Sequence, residues 1–185
     1  FTAFGREVEK LDGRYLTAED VGTGVTDMER VRRQTAYVAG LPVAPGIVGG
    51  DPSPWTALGV LRAMEEAVRR RHGSGLAGAT VAVQGLGHVG TALCALLADA
   101  GARLVVADTD PARASACAAK WGAQLVAPDA ILDVPCDVFA PCALGGVLDS
   151  QGVTRLKARI VCGAANNVLA HDADGLRLAA RDVLY

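Results

Sequence analysis

Three glycines, Gly85, Gly87 and Gly90 in the run GLGHVG, carry the first recognisable chemistry in this 185-residue sequence. At that spacing the first permits a tight turn, the second lets backbone approach a pyrophosphate, and the third lets a helix pack closely on a strand. Asp108 stands 18 residues beyond Gly90. Its carboxylate can accept hydrogen bonds from both hydroxyls of an adenosine ribose and would repel a 2′-phosphate. Gly85, Leu86, Gly87, His88, Val89, Gly90 and Asp108 are therefore read as a cofactor site that takes NAD in preference to NADP. The competing role for Asp108, capping a helix, is filled better by Asp110, which is followed by Pro111. His88 lies inside the motif, but the spacing asks nothing of its side chain.

Other polar clusters could supply the chemistry that a cofactor alone does not define. They are TAEDVGTGVTDM at 17–28, GDPSPWTALGV at 50–60, and FAPCALGG at 139–146 with CGAANNVLA at 162–170. In a doubly wound sheet, ligands sit outside the carboxyl ends of the strands, which brings Asn166 and Asn167 to the right place. No metal constellation is visible. His72 and His171 read as exposed loop residues. The five cysteines, Cys94, Cys117, Cys136, Cys142 and Cys162, are odd in number and never two residues apart, unlike a zinc knuckle or a disulfide framework.

The elements that must hold these residues follow from apolar patterning. Short continuous apolar runs predict strands at 80–84, 103–107, 124–126, 137–140 and 159–162, as expected when helices cover both faces of a parallel sheet. Helices are expected after the first two strands, with a shorter one near Thr154. Before them, Ser53 and Pro54 mark the start of a helix with Ala57, Val60, Leu61, Met64, Ala67 and Val68 on one face. Further upstream the sequence predicts a helix over 1–10, a strand over 14–18 and a helix over 27–38. A connection rich in Gly and Pro, 40–54, joins the two parts. The fold class is thus α/β, a Rossmann-type doubly wound parallel sheet. Residues 1–50 form the end of another domain with its hinge, and 51–185 form a nucleotide domain that is incomplete at its C-terminal end.

Composition bounds the partners. The 18 Lys and Arg against 20 Asp and Glu give a net charge of −2, so no basic excess points to nucleic acid or an anionic membrane. No apolar run is long enough for a bilayer, and the first residues lack the pattern of a secretory signal. A cytoplasmic protein with a small-molecule ligand is expected. The first residue is Phe, and the last run, RDVLY, is only beginning an apolar stretch. The chain is accordingly expected to be a piece cut at both ends.

Five segments in order, RYLTAEDVGT, GDPSPWTALGV, VAVQGLGHVG, DVFAPCALGG and CGAANN, resemble the leucine, valine and phenylalanine dehydrogenases of the glutamate dehydrogenase superfamily. The resemblance runs through nearly the whole chain. It implies NAD-dependent oxidative deamination of an L-amino acid to a 2-oxo acid and ammonia, with the reverse reaction, in a homo-oligomer at full length. It also implies roles for particular residues. Asp20 matches the aspartate that exchanges protons with the substrate nitrogen, and Thr56 the threonine that holds the nicotinamide carboxamide. Asn166 matches the asparagine that fixes both substrate amino group and nicotinamide, while Cys142 and Ala143 contribute backbone beside the cofactor. Ala18 matches a position that is alanine in leucine and valine types and glycine in phenylalanine types, which favours a branched aliphatic substrate.

One departure stands out. The family's essential lysines lie in an earlier domain, one of them in GGGK, whereas Lys10, Lys120 and Lys157 are the lysines here and none has a comparable setting. A lysine of lowered pKa is the base that activates water in this chemistry. These 185 residues are thus expected to bind NAD without turning over substrate. A non-catalytic NAD-binding sensor would also explain the missing lysine, and a phenylalanine dehydrogenase or a folate dehydrogenase are the remaining alternatives. AEDVGT together with AANN counts against the last.

Overall fold

The structure, a computed structural model, describes residues 1–43 and 49–185. The described residues fall into two compact units, Phe1–Pro52 and Ser53–Tyr185. Residues 44–48 of the expected connection lie outside the described residues.

In the first unit, helix α1 (Thr2–Lys10), with Val8 buried, packs on helix α2 (Val25–Arg32), and Met28, Val31 and Val38 form a small apolar cluster with Leu41 against it. The strand expected at 14–18 is reduced to one parallel bridge, Thr17 to Val38. Tyr15 and Leu16 stay exposed, so no face exists to pack. The helix expected over 27–38 begins earlier and ends at Arg32. Asp27 Oδ2 accepts the Gly24 N–H at 3.2 Å at its start. Beyond its end, the Thr35 hydroxyl accepts the Tyr37 N–H at 3.1 Å and turns the chain back. The Thr17 N–H then reaches Tyr37 O, and the Ala39 N–H reaches Thr17 O.

The second unit opens with α3 (Ser53–His72), followed by β1 (Thr80–Gln84), α4 (His88–Asp99), β2 (Arg103–Ala107), α5 (Pro111–Trp121) and β3 (Gln124–Leu125). After a short 3-10 turn at Ile131–Asp133 come β4 (Val138–Pro141), α6 (Ser150–Arg155), β5 (Ile160–Val161) and α7 (Asp172–Ala180). The five strands are parallel in the order β3-β2-β1-β4-β5. The order reverses between β1 and β4, which makes a crevice at their carboxyl ends.

Parallel crossovers are right-handed, so strands laid down in opposite directions must carry their helices to opposite faces. That is the arrangement found. Val81, Val83, Val106, Val138 and Ala140 face one core with α3, α4 and α5; Ala82, Val105, Phe139 and Val161 face the other with α6 and α7. β1, β2, β4 and β5 are buried on both sides, while the edge strand β3 is exposed, and a fully buried Val or Leu contributes about 1.5–3 kcal/mol. This is why the strands read as continuous apolar runs. The α/β parallel fold expected from the sequence is the one observed.

Two details differ from the sequence reading. His72 ends α3, with Nε2 3.8 Å from Asp137 Oδ1, and His171 sits at the N-cap of α7, so neither is a simple loop residue. Helix α7 itself has no counterpart among the expected elements. It is started by Asp174, fully buried, which accepts the His171 N–H at 3.1 Å and pairs with Arg177 at 2.7 Å. The final residues then return to the sheet: Val161 N–H donates to Leu184 O and Leu184 N–H to Arg159 O.

Candidate cofactor-binding site

The glycine run occupies the turn from β1 into α4. Gly85 has φ +90°, a left-handed conformation that disfavours any side chain, and an added Cβ would meet Ala143 N at 2.7 Å. At Gly90 a Cβ would come within 1.9 Å of Gly85 O, so only hydrogen lets α4 approach the turn. Gly87 differs: it has φ −69°, and a Cβ there would meet nothing within 4 Å. Two glycines are needed for packing; the middle one faces open space beside the helix N-terminus. Amide groups and the positive end of the α4 dipole point there, which suits an anion such as a pyrophosphate.

Asp108 completes this turn. Its Oδ2 accepts the Leu86 N–H at 2.6 Å and its Oδ1 accepts the Asp110 N–H at 2.7 Å, with a side chain only 7% exposed. A carboxylate has about four acceptor positions, so two remain for ribose hydroxyls. Asp110 does cap α5, accepting from Ala112 N–H at 2.9 Å and Arg113 N–H at 3.3 Å. Those backbone amides, and the Arg113 guanidinium after them, hold its carboxyl below the usual carboxylate range.

The ends of β4 and β5 close the other side of the crevice. The Cys142 N–H donates to Gln84 O at 2.7 Å, which sets Ala143 against Gly85. Burial pushes the Cys142 thiol up to about 11, and it pushes Cys162 up as well. Both thiols stay protonated at neutral pH and pack rather than react. Pro141 O accepts from both Ala164 N–H and Ala165 N–H, and Gly146 N–H donates to Asn167 O. A Cβ on Gly145 would strike Asn166 O at 2.2 Å, so the segment bearing Asn166 is laid directly on the loop after β4. Cys162 Sγ lies 3.8 Å from Val60 O, which seats the first half of α3 against β5. Thr56 is exposed one turn ahead of Val60.

The structure therefore gathers Gly85, Leu86, Gly87, Gly90, Asp108, Cys142, Ala143 and Asn166 at one end of the sheet, while His88 and Val89 open α4 beside them, His88 exposed. These residues fit a dinucleotide. Ala18 and Asp20 belong to the other unit. The Asp20 N–H donates to Thr23 Oγ1 at 2.8 Å, the Thr23 N–H returns to Asp20 O at 2.9 Å, and Asp20 Oδ1 accepts the Val21 N–H at 2.7 Å. That closed turn holds an exposed carboxylate in place. Ala18 is exposed just before it.

Sequence reasoning assigned no part to Arg113, yet its Nε bonds Asp110 Oδ2 at 3.0 Å and its Nη2 lies 3.7 Å from Asp108 Oδ1. The signal for it was its position three residues after the capping Asp110, where a side chain turns back over the helix start. Arg103 lies at the other end of β2, bonded to Thr80. Among the described residues no cluster of His, Cys, Asp and Glu is set to hold a metal, and no helix is long and apolar enough to cross a membrane.

A model of the glutamate/leucine/phenylalanine/valine dehydrogenase family matches residues 51–113 and 106–185. The chain is 45% identical over 186 residues to the leucine dehydrogenase of Thermoactinomyces intermedius, covering 100% of this chain and 50% of the relative. Its fold matches the crystal structure of L-tryptophan dehydrogenase from Nostoc punctiforme, with TM-score 0.76 and 39% identity over 99% of this chain and 52% of that one. It also matches the hetero-hexameric glutamate dehydrogenase from Thermus thermophilus in its Leu-bound form, with TM-score 0.75 and 26% identity over 95% and 49% of the two chains. The chain spans about half the length of the curated relatives it matches.

Proposed function

The chain belongs to the glutamate/leucine/phenylalanine/valine dehydrogenase family, and on that premise we propose that it is part of an NAD-dependent amino acid dehydrogenase. Its substrate is a branched-chain L-amino acid, leucine or valine, converted reversibly to the 2-oxo acid and ammonia. In this reading Ser53–Tyr185 binds the dinucleotide and Phe1–Pro52 carries part of the substrate-handling domain. The whole protein is a cytoplasmic homo-oligomer. The observation that carries the reading is the turn after β1: Gly85 and Gly90 compacted against Ala143 and each other, Gly87 left open, and Asp108 bonded to Leu86 N–H with acceptor capacity to spare.

A bound nicotinamide would supply the hydride acceptor for the substrate α-carbon. The carbonyl oxygen of the 2-oxo acid comes from water, and the lysine that would activate it is not among Lys10, Lys120 and Lys157; the contacts this chain supplies are the following. The Thr56 hydroxyl and Asn166 orient the nicotinamide amide, and Asn166 also holds the substrate amino group. Backbone at Cys142 and Ala143 forms the floor. The Asp20 carboxylate takes a proton from the substrate nitrogen on the way to the 2-oxo acid and returns it in the reverse direction. The Ala18 methyl occupies space that an aromatic ring would need, and similarity to leucine dehydrogenase supports the same choice. Similarity to the tryptophan enzyme favours an aromatic substrate as the rival.

The test uses the whole protein with leucine, valine, phenylalanine and tryptophan as substrates. Leucine or valine is expected to give the highest kcat/KM; preference for an aromatic substrate would replace the aliphatic assignment. Asp20→Asn keeps the Oδ1 acceptor for Val21 N–H but cannot take a proton. Turnover should fall about 10²- to 10⁴-fold, the usual contribution of general acid–base catalysis, with NADH affinity nearly unchanged. Turnover within a few-fold of the parent, combined with lower stability, would make Asp20 a structural loop residue.

A further inference from the structure

We infer that Arg113 sets how strongly this site discriminates against a 2′-phosphorylated dinucleotide, acting as a cation held in reserve by Asp108 and Asp110. The inference rests on the reading of the β1–α4 turn as a dinucleotide site. Three charged side chains meet at the carboxyl end of β2. Arg113, half exposed, bridges Asp110 Oδ2 at 3.0 Å and approaches Asp108 Oδ1 at 3.7 Å. Asp108 in turn holds the Leu86 N–H of the glycine turn. The carboxylate offered to the adenosine ribose is thus the same carboxylate that Arg113 faces.

The electrostatic consequence follows from charge counting. Asp108, Asp110 and Arg113 together carry one net negative charge. A ribose hydroxyl donates to Asp108 whatever that balance is, whereas a 2′-phosphate carries close to two negative charges and responds to it directly. Without Arg113 the local charge becomes −2, and repulsion of the phosphate grows. Without the Asp108 charge it becomes zero, and the guanidinium, no longer shared with that carboxylate, can turn its remaining N–H donors to the phosphate oxygens. Arginine suits this role because its planar fork matches phosphate geometry. It stands at the first turn of α5, whose dipole adds to the attraction of an anion.

This makes discrimination at the site a balance between two residues rather than the property of one. Asp108 opposes the phosphate and Arg113 moderates that opposition. Arg103 takes no part, since it is engaged with Thr80 at the amino end of the sheet.

The experiment titrates the 185-residue chain with NADH and with NADPH, following nicotinamide fluorescence, in four versions: the parent, Arg113→Ala, Asp108→Asn and the double variant. Asp108→Asn would put folding at risk if it removed both backbone contacts, but the amide oxygen retains one acceptor. Arg113→Ala alters an exposed side chain only. The ratio of NADPH to NADH dissociation constants is expected to rise about fivefold in Arg113→Ala, the effect of one partly screened charge. It should fall about tenfold in Asp108→Asn, and most of that fall should vanish in the double variant. A ratio unmoved by Arg113→Ala in both backgrounds would overturn the inference, as would equal weakening of both cofactors, which would make Arg113 a general support of the loop. If Asp108→Asn does not fold, the comparison of parent with Arg113→Ala decides alone. Failure of the parent chain to bind NADH at all would instead remove the reading of the site itself.

Discussion

Gly87 and Gly90 are the same residue type three positions apart, and the structure assigns them opposite sensitivities. A methyl on Gly90 would lie 1.9 Å from Gly85 O, so the turn and α4 must separate. Gly90→Ala should destabilise the chain by about 1–3 kcal/mol, the usual cost of overpacking, and reduce NADH binding with it. A methyl on Gly87 meets no atom within 4 Å, and φ −69° is open to any residue. Gly87→Ala should stay within about 1 kcal/mol of the parent in urea unfolding, a small change at an N-cap. It should nevertheless lose most NADH affinity if the site is the one proposed, because the methyl would stand in the path of the pyrophosphate. Full affinity in Gly87→Ala would place the phosphates elsewhere. The glycine roles and Asp108 were legible because their spacing encodes backbone geometry. Arg113 was marked only by its place three residues after Asp110; its approach to Asp108 depends on the turn of α5, which a linear reading does not carry.

At the scale of elements, legibility tracked burial. β1 and β2 match their expected ends because apolar runs and flanking polar residues coincide, whereas ends of β3, β4 and β5 shift by one residue where pairing rather than hydropathy sets the limit. The strand expected at 14–18 failed because only the buried Thr17 finds a bridge partner, Val38, while Tyr15 and Leu16 remain exposed. Helix α7 was missed because its start is marked by Asp174, a buried carboxylate whose value lies in Arg177 and the His171 amide. The junction of β4 with the glycine turn also carries a pH signature. Cys142 in the folded chain titrates at about 11, raised by burial from an ordinary 9.0. Below pH 9 both folded and unfolded chains keep that proton, so the group contributes no pH dependence. Between about 9 and 11 the unfolded chain loses the proton first, and stability falls as pH rises. Urea midpoints measured across this window should drop less in Cys142→Ala than in the parent; parallel curves would show that the thiol is not shielded as described.

For the molecule as a whole, the two units differ in how much core they own. Ser53–Tyr185 has apolar clusters on both faces of a five-stranded sheet, with Phe139, Leu93, Leu97, Ile160 and Leu178 fully buried. Phe1–Pro52 has Met28, Val31 and Val38 with Leu41 beside them, and Phe1, Phe4, Tyr15 and Leu16 are exposed at 44–62%. Conformational entropy costs roughly 1–2 kcal/mol per ordered residue, and a small unit can offset that only by burying a large share of its apolar surface. The first unit, taken by itself, buries too little for more than marginal stability. Native-state hydrogen exchange should therefore show α2 amides opening with a free energy well below that of β1, β2 and α4, whose protection should approach the global value. If the chain binds NADH as proposed, through the folded form alone, saturating NADH should raise protection through β1, the glycine turn and α4 by RT ln(1 + [L]/Kd), about 2.7 kcal/mol at a hundredfold excess over Kd. Equal protection of α2 and the sheet would mean that the small cluster around Val31 is more stable than its buried surface allows, and an NADH effect absent from the glycine turn would separate the cofactor from the residues assigned to it.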